Sequence, residues 1–254
     1  MPSPLDGRTA LVTGAGRSVG RGIAERLAEA GAFVLVNEIH ADRADETVGA
    51  IQDGGGRAAA TVFDVTDSDA VRAAFEILDT EGHEVDVLVN NAGIAEGSSS
   101  GVFAESDPAD WRATIDLNLF GSMNMIRAVL PGMVERRWGR IIQISSGAAS
   151  QGLRIGVSTY GAGKAAVESL VRHVAVENGR NGVTANTIAL GLMANVADNL
   201  DGDSGVARLV SSIPVGRLGE PREVGALAAF LASDDAAYIT GQVIHLNGGN
   251  FFGR

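Results

Sequence analysis

Thr9-Ala10-Leu11-Val12-Thr13-Gly14-Ala15-Gly16-Arg17-Ser18-Val19-Gly20 runs from a short apolar segment into a glycine-rich turn. Beyond it Ile23, Ala24, Leu27 and Ala30 recur at helical spacing until Gly31 stops the pattern. Ala32-Phe33-Val34-Leu35-Val36 then forms an unbroken apolar run ending at Asn37-Glu38. Strand, glycine turn, helix and strand in this order make the βαβ unit that holds a dinucleotide. Glycines let the backbone approach a pyrophosphate, whose charge then rests on the exposed N–H groups of the helix. Glu38 closes the second strand near the ~20-residue offset at which an acid can meet an adenosine ribose. A glycine turn serving packing alone is the other reading of this stretch.

The alternation continues downstream. Helical patterns cover Asp42 to Gln52, Asp67 to Asp79, a long segment from about Pro108, Thr159 to Asn178, and Arg222 to Ala232. Strand patterns cover Arg57 to Phe63, Val85 to Val89, Gly139 to Ser145, Val183 to Ile188, and Gln242 to Leu246. In the long segment Trp111, Ile115, Leu119, Met123, Ile126 and Leu130 recur at helical spacing and read as a core-facing wall. No linker or repeat interrupts the chain. It therefore predicts one α/β domain over residues 1–254, a doubly wound parallel seven-stranded sheet with helices on both faces. A substrate loop is expected at about 190–212.

The 254 residues are 45% hydrophobic and 20% charged, as in a soluble protein with ample core. Aromatics are only 5%, so the apolar mass is aliphatic, as buried parallel strands require. A net charge of −11 leaves no basic footprint for a nucleic acid or an anionic membrane. The absence of cysteine removes disulfides, thiolate metal sites and cysteine nucleophiles. His40, His83, His173 and His245 show no paired spacing, so no metal site is expected. Residues 1–8 carry no signal-like pattern, and no apolar run approaches the ~18–20 residues that cross a bilayer. A cytoplasmic location is expected.

Tyr160-Gly161-Ala162-Gly163-Lys164 carries the chemistry. On a helix, positions four apart share a face, so the phenol and the ammonium point the same way. A tyrosine ionises only near pH ~10, and an adjacent ammonium is expected to lower that value by charge attraction. Lys164 is the only lysine in the chain, and Tyr160 is one of two tyrosines. A bidentate ion-pairing role would accept arginine, whereas a compact charge beside a phenol would not. A solvated lysine beside a packed tyrosine is the alternative for any isolated pair of this kind.

Taken together, Thr13-Gly14-x-x-x-Ser18-x-Gly20, Asn90-Asn91-Ala92-Gly93, Asn118, Ser145-Ser146, Tyr160-x-x-x-Lys164, and Ile213-Pro214 through Gly248-Gly249 resemble the short-chain dehydrogenase/reductase family over nearly the whole chain. The resemblance implies a Rossmann-like fold. It also implies a secondary alcohol/ketone oxidoreductase with Asn118, Ser146, Tyr160 and Lys164 as the catalytic set. Tyr160 would exchange the substrate proton, and Lys164 would tune it and hold the nicotinamide ribose. Ser146 would steady the substrate oxygen, and Asn118 would hold a water relaying protons to the lysine. Both serines could instead serve only as turn formers at the strand end, and Asn118 as a helix-bending amide bonded to backbone. Cofactor contacts are implied at Gly14, Arg17, Ser18, Val19, Gly20, Glu38, Asp64, Val65, Asn91, Ala92, Gly93, Tyr160, Lys164 and Met193.

Glu38 favours NAD, because a carboxylate repels a 2′-phosphate; Arg17 resembles the basic residue of NADP-preferring members, which makes NADP the second choice. Three departures from the family pattern stand out. Ser18 replaces a glycine, Leu190-Gly191 replaces Pro-Gly, and Asn195 stands where a threonine commonly contacts the carboxamide. The main functional expectation is an NAD(H)-dependent dehydrogenase or reductase on a small, largely uncharged substrate. Alternatives are an NADPH-dependent 3-ketoacyl-carrier-protein reductase, with Arg136, Arg137 and Arg180 as a docking patch, and a cofactor-binding regulator without turnover. Enoyl reduction is disfavoured: Ser18 is shared with that branch, but it spaces its tyrosine farther from its lysine, and position 157 here is valine. A homotetramer is implied, with Phe251 and Phe252 as apolar side chains that a monomer would expose.

Overall fold

The computed structural model describes residues 3–94, 101–153, 155–194, 207–208 and 210–251. Strands β1 (Thr9–Thr13), β2 (Phe33–Glu38), β3 (Arg57–Val62), β4 (Val87–Asn90), β5 (Gly139–Ser146), β6 (Val183–Leu190) and β7 (Val243–Leu246) form one sheet. Their spatial order is β3-β2-β1-β4-β5-β6-β7, and every pairing is parallel. The order reverses at β1, because β2 and β3 build outward on one side and β4 to β7 on the other. A crevice therefore opens at the carboxyl ends of β1 and β4, where open parallel sheets place their ligands.

Strand periodicity sorts the core into two layers. Ala10, Val12, Val34, Val36, Val87 and Val89 face α1 (Ser18–Glu29), α2 (Ala41–Asp53) and α7 (Pro221–Ala232). Leu11, Leu35, Leu88, Ile141 and Ala185 face α3 (Ser68–Thr80), α5 (Ser122–Glu135) and α6 (Ser158–Asn178). Burial on both faces is why the strands read as continuous apolar runs. Among the described residues, no helix is long and apolar enough to cross a membrane.

The long segment from Pro108 is not one regular helix. It comprises α4 (Pro108–Ile115), a π-helical turn at Asp116–Gly121, and α5. A π turn inserts an extra residue and rotates the following face. The expected wall is therefore corrected. Asn118, Ser122, Met125, Ile126, Val129 and Met133 are buried, whereas Met123 is 40% exposed and Leu119 and Leu130 only half-buried. Ile126 alone of the predicted wall is fully in the core.

Candidate active site

Between β1 and the first turn of α1 the chain is packed too closely at Gly16 and Gly20 for a side chain. A Cβ at Gly20 would lie 2.1 Å from the Gly14 carbonyl oxygen. Helix α1 begins after Arg17 with no capping side chain and no acid in its first turn. Its first N–H groups, those of Ser18, Val19 and Gly20 among them, and the positive end of its dipole are left to an anion. Ser18 adopts the left-handed conformation with φ 49°. Holding a serine there costs about 1–2 kcal/mol. That cost explains why glycine suits the position and makes Ser18 a genuine departure.

Glu38, 8% exposed, is fixed by two backbone donors. The Gly16 N–H donates to Oε2 at 3.3 Å and the Ile39 N–H to Oε1 at 2.9 Å. A Cβ at Gly16 would lie 2.8 Å from Oε2, so the carboxylate sits directly beneath the turn. Asn91 stitches the end of β4 to that turn, its amide donating to the carbonyls of Thr13 and Gly14 at 2.9 and 3.0 Å. The Thr13 hydroxyl in return accepts from the N–H groups of Asn91 and Ala92. Asn91 thus shapes the crevice through its backbone neighbours. Asp64 is exposed at the rim and accepts from the Thr66 N–H and hydroxyl at 2.8 Å, and Val65 is buried beside it. The Met193 side chain is turned into the core against Gly219, to which its backbone is bridged. Asn195, residues 95–100, most of the substrate loop and Phe252 lie outside the described residues.

At the carboxyl end of β5 the second half of the site converges. Lys164 is 2% exposed, its Nζ donates to the Ile144 carbonyl at 2.8 Å, and it lies 5.5 Å from the Tyr160 ring centroid. Ser146 hydrogen-bonds the phenol, and its Oγ also accepts from the Ala148 N–H at 3.2 Å. Ser145 points the other way and donates to Glu168 at 2.6 Å. Of the two serines, Ser146 is the one that meets Tyr160.

Asn118 lies inside the π turn and donates to the carbonyls of Gly93 and Thr114, both at 2.9 Å. It is thus a backbone-bonded, helix-bending amide. Its Oδ1 has no hydrogen-bond partner although the residue is 1% exposed. A Cβ at Gly93 would stand 2.6 Å from Lys164 Nζ and 2.9 Å from that Oδ1. The bare face of Gly93 therefore lets the Lys164 ammonium and the unpaired Asn118 Oδ1 approach the same stretch of backbone.

Electrostatically the pair departs from the sequence-based expectation. Burial pushes the Tyr160 phenol above its ordinary value, with the Ser146 hydrogen bond pulling the other way. Burial also lowers Lys164 to about 8, while the Glu168 carboxylate opposes the fall. The ammonium lies 5.5 Å from the ring centroid, and desolvation of the phenol is the dominant effect. At neutral pH Tyr160 is a protonated donor.

Two neighbours of the site escaped the sequence reading. Glu168, which no sequence motif singles out, is 9% exposed. Phe251 was expected to be exposed; instead it packs edge-on to His245 and occupies the space a Gly147 side chain would need. Among the described residues no group of three or more His, Cys, Asp and Glu is placed to hold a metal.

Comparison with known proteins covers the same span. A family model described as enoyl-(acyl carrier protein) reductase matches residues 14–250. The 3-oxoacyl-[acyl-carrier-protein] reductase of Vibrio harveyi is 38% identical over 250 residues, covering 97% of this chain and 98% of that protein. A solved 3-oxoacyl-[acyl-carrier protein] reductase from Brucella melitensis superposes with a TM-score of 0.92 at 34% identity, over 99% of this chain and 94% of its own. A gluconate 5-dehydrogenase from Burkholderia cenocepacia, solved with NADP and tartrate, gives 0.90 at 35% identity, over 98% and 97%.

Proposed function

This chain belongs to the short-chain dehydrogenase/reductase family, and from that premise we propose that it interconverts a secondary alcohol and a ketone with a nicotinamide dinucleotide, NAD(H) by preference. The observation that carries the reading is the convergence of Ser146, Tyr160 and Lys164 on the end of β5, beside a glycine turn with an uncapped helix start. The residues fit such a cofactor: α1 would receive the pyrophosphate, Glu38 the adenosine ribose, and Lys164 the nicotinamide ribose. When bound, the nicotinamide supplies the hydride donor or acceptor.

Tyr160 then holds the proton for the substrate oxygen, and in the reductive direction it is already protonated at pH 7. Ser146 aims a hydroxyl at the same oxygen, where negative charge develops. Lys164 and the unpaired Asn118 Oδ1 both reach the backbone at Gly93, which would let the amide take part in resupplying the proton. Tyr160 and Lys164 stand only four residues apart, closer than in the enoyl-reducing branch, and position 157 is valine, which disfavours the enoyl reduction named by the family model.

The preference for NAD rests on Glu38, whose buried carboxylate would oppose a 2′-phosphate. A second reading, an NADPH-dependent 3-ketoacyl-carrier-protein reductase, is favoured by the Vibrio harveyi and Brucella melitensis relatives. Its docking arginines are adjacent, with Arg137 donating to the Arg180 carbonyl at 3.0 Å. Arg136 is engaged by Glu84 and Asp86, however, and the patch lies at the far end of β5, roughly 25 Å from Tyr160. Steady-state rates with free ketones and alcohols against carrier-linked 3-ketoacyl substrates, each with NAD(H) and NADP(H), test the reading. Turnover of carrier-linked substrates alone with NADPH would overturn it in favour of the second.

The proposed protein is a cytoplasmic homotetramer with small-molecule substrates. The outward face of α5 supports assembly: Met123, Leu130, Pro131 and Val134 line an apolar groove with Leu170. Phe120 beside it is 49% exposed. Light scattering is expected to give four times the chain mass of 26.1 kDa, and a monomeric mass would sink the tetramer.

A further inference from the structure

Three consecutive residues at the end of β5 are gripped by α6. The Ile144 carbonyl accepts from Lys164, the Ser145 hydroxyl donates to Glu168, and Ser146 meets Tyr160. The first and last contacts belong to the site already described. The middle one does not, yet Ser145 is 1% exposed and Glu168 9%. Enclosing a carboxylate is costly, and an apolar side chain would fill a packing position without that cost.

Glu168 lies one turn after Lys164 on α6, so the two side chains share a face. Lys164 is the more completely enclosed, and an ammonium in low-dielectric surroundings needs a nearby anion to stay charged. The Glu168 carboxylate does raise the lysine against the pull of burial. Other charged groups are poorly placed to share this role. β6 carries no titratable residue; β5 carries Arg140, at its opposite end beside Asp234. His245 on β7 is separated from Ser145 by Ala189 in the same register row. Arg112, Asp116, Arg172, His173, Glu177 and Arg180 are all exposed.

We propose that Glu168 is a positioning residue for Lys164: through the Ser145 hydroxyl it locks the strand end whose Ile144 carbonyl receives the ammonium, and its carboxylate supplies the negative charge that the buried ammonium needs. The role deepens the oxidoreductase reading and takes its catalytic meaning from it, but the charge pairing itself can be tested without turnover.

Because Lys164 is the only lysine, protein labelled with 13C at the lysine Cε, and carrying no lysine-containing tag, gives one side-chain resonance. Its chemical shift against pH reports the titration of this one amine. The wild-type midpoint is expected near 8. Glu168→Gln keeps an acceptor for Ser145 but removes the charge, and is expected to lower the midpoint by about one pH unit or more. Glu168→Asp keeps the charge at a greater distance and is expected to fall between the two. A merely structural role would lower Tm and leave the midpoint in place. A Glu168→Gln midpoint equal to that of the wild type overturns the proposal; where that variant does not fold, an unchanged midpoint in Glu168→Asp does so. Loss of the oxidoreductase reading would appear separately, as absent turnover with an intact lysine titration.

Discussion

Tyr160→Phe is expected to lower kcat by about 10²–10⁴-fold while leaving dinucleotide affinity within a few-fold of wild type. The change removes a single oxygen. The ring, its contact with Lys164 at 5.5 Å and the glycine turn are untouched, so binding survives. What is lost is the proton: burial keeps the phenol protonated at neutral pH, and the Ser146 hydroxyl beside it is a far weaker acid than a phenol. Paired measurements of steady-state kcat and NADH fluorescence titration separate the two effects. Turnover within tenfold of wild type would mean that another group is the acid, and unchanged behaviour in every assay would favour a regulator without catalysis.

The second large effect is expected at Gly93. Substitution by alanine places a methyl group 2.6 Å from Lys164 Nζ and 2.9 Å from Asn118 Oδ1, so the ammonium must withdraw. Displacing a catalytic group by about 1 Å can cost ~10²-fold, and a loss of that size in kcat is expected for Gly93→Ala. The position is not in the left-handed region, so the fold should survive, with Tm close to wild type. Full activity in this variant would show that the close packing of Lys164 and Asn118 against Gly93 has no part in turnover.

Much of this was legible in the sequence for a physical reason: buried parallel strands and glycine turns leave patterns that depend on few neighbours. Thr9 to Glu38 announces its βαβ unit through apolar runs and glycines, and the alternation that follows gives all seven strands. The π turn was not legible. One inserted residue leaves no change in composition, and it moved Met123 and Leu130 out of the predicted wall. The lysine–tyrosine pairing could be read from spacing, but the sign of the tyrosine shift could not, because it depends on how much of the phenol is desolvated. No spacing marks Glu168, because its burial depends on Ser145, a strand residue distant in the sequence. Phe251 reaches Gly147 by a terminal path that no periodicity encodes.

The most direct test of the central claim, a nicotinamide site that reads its cofactor through Glu38, is a binding titration of NADH and NADPH against wild type and Glu38→Ala. The account predicts tighter NADH binding in the wild type, weakened at least tenfold in the variant, with NADPH gaining relative to NADH. Tighter NADPH binding in the wild type, indifferent to Glu38, would contradict it and bring the carrier-linked reductase to the front.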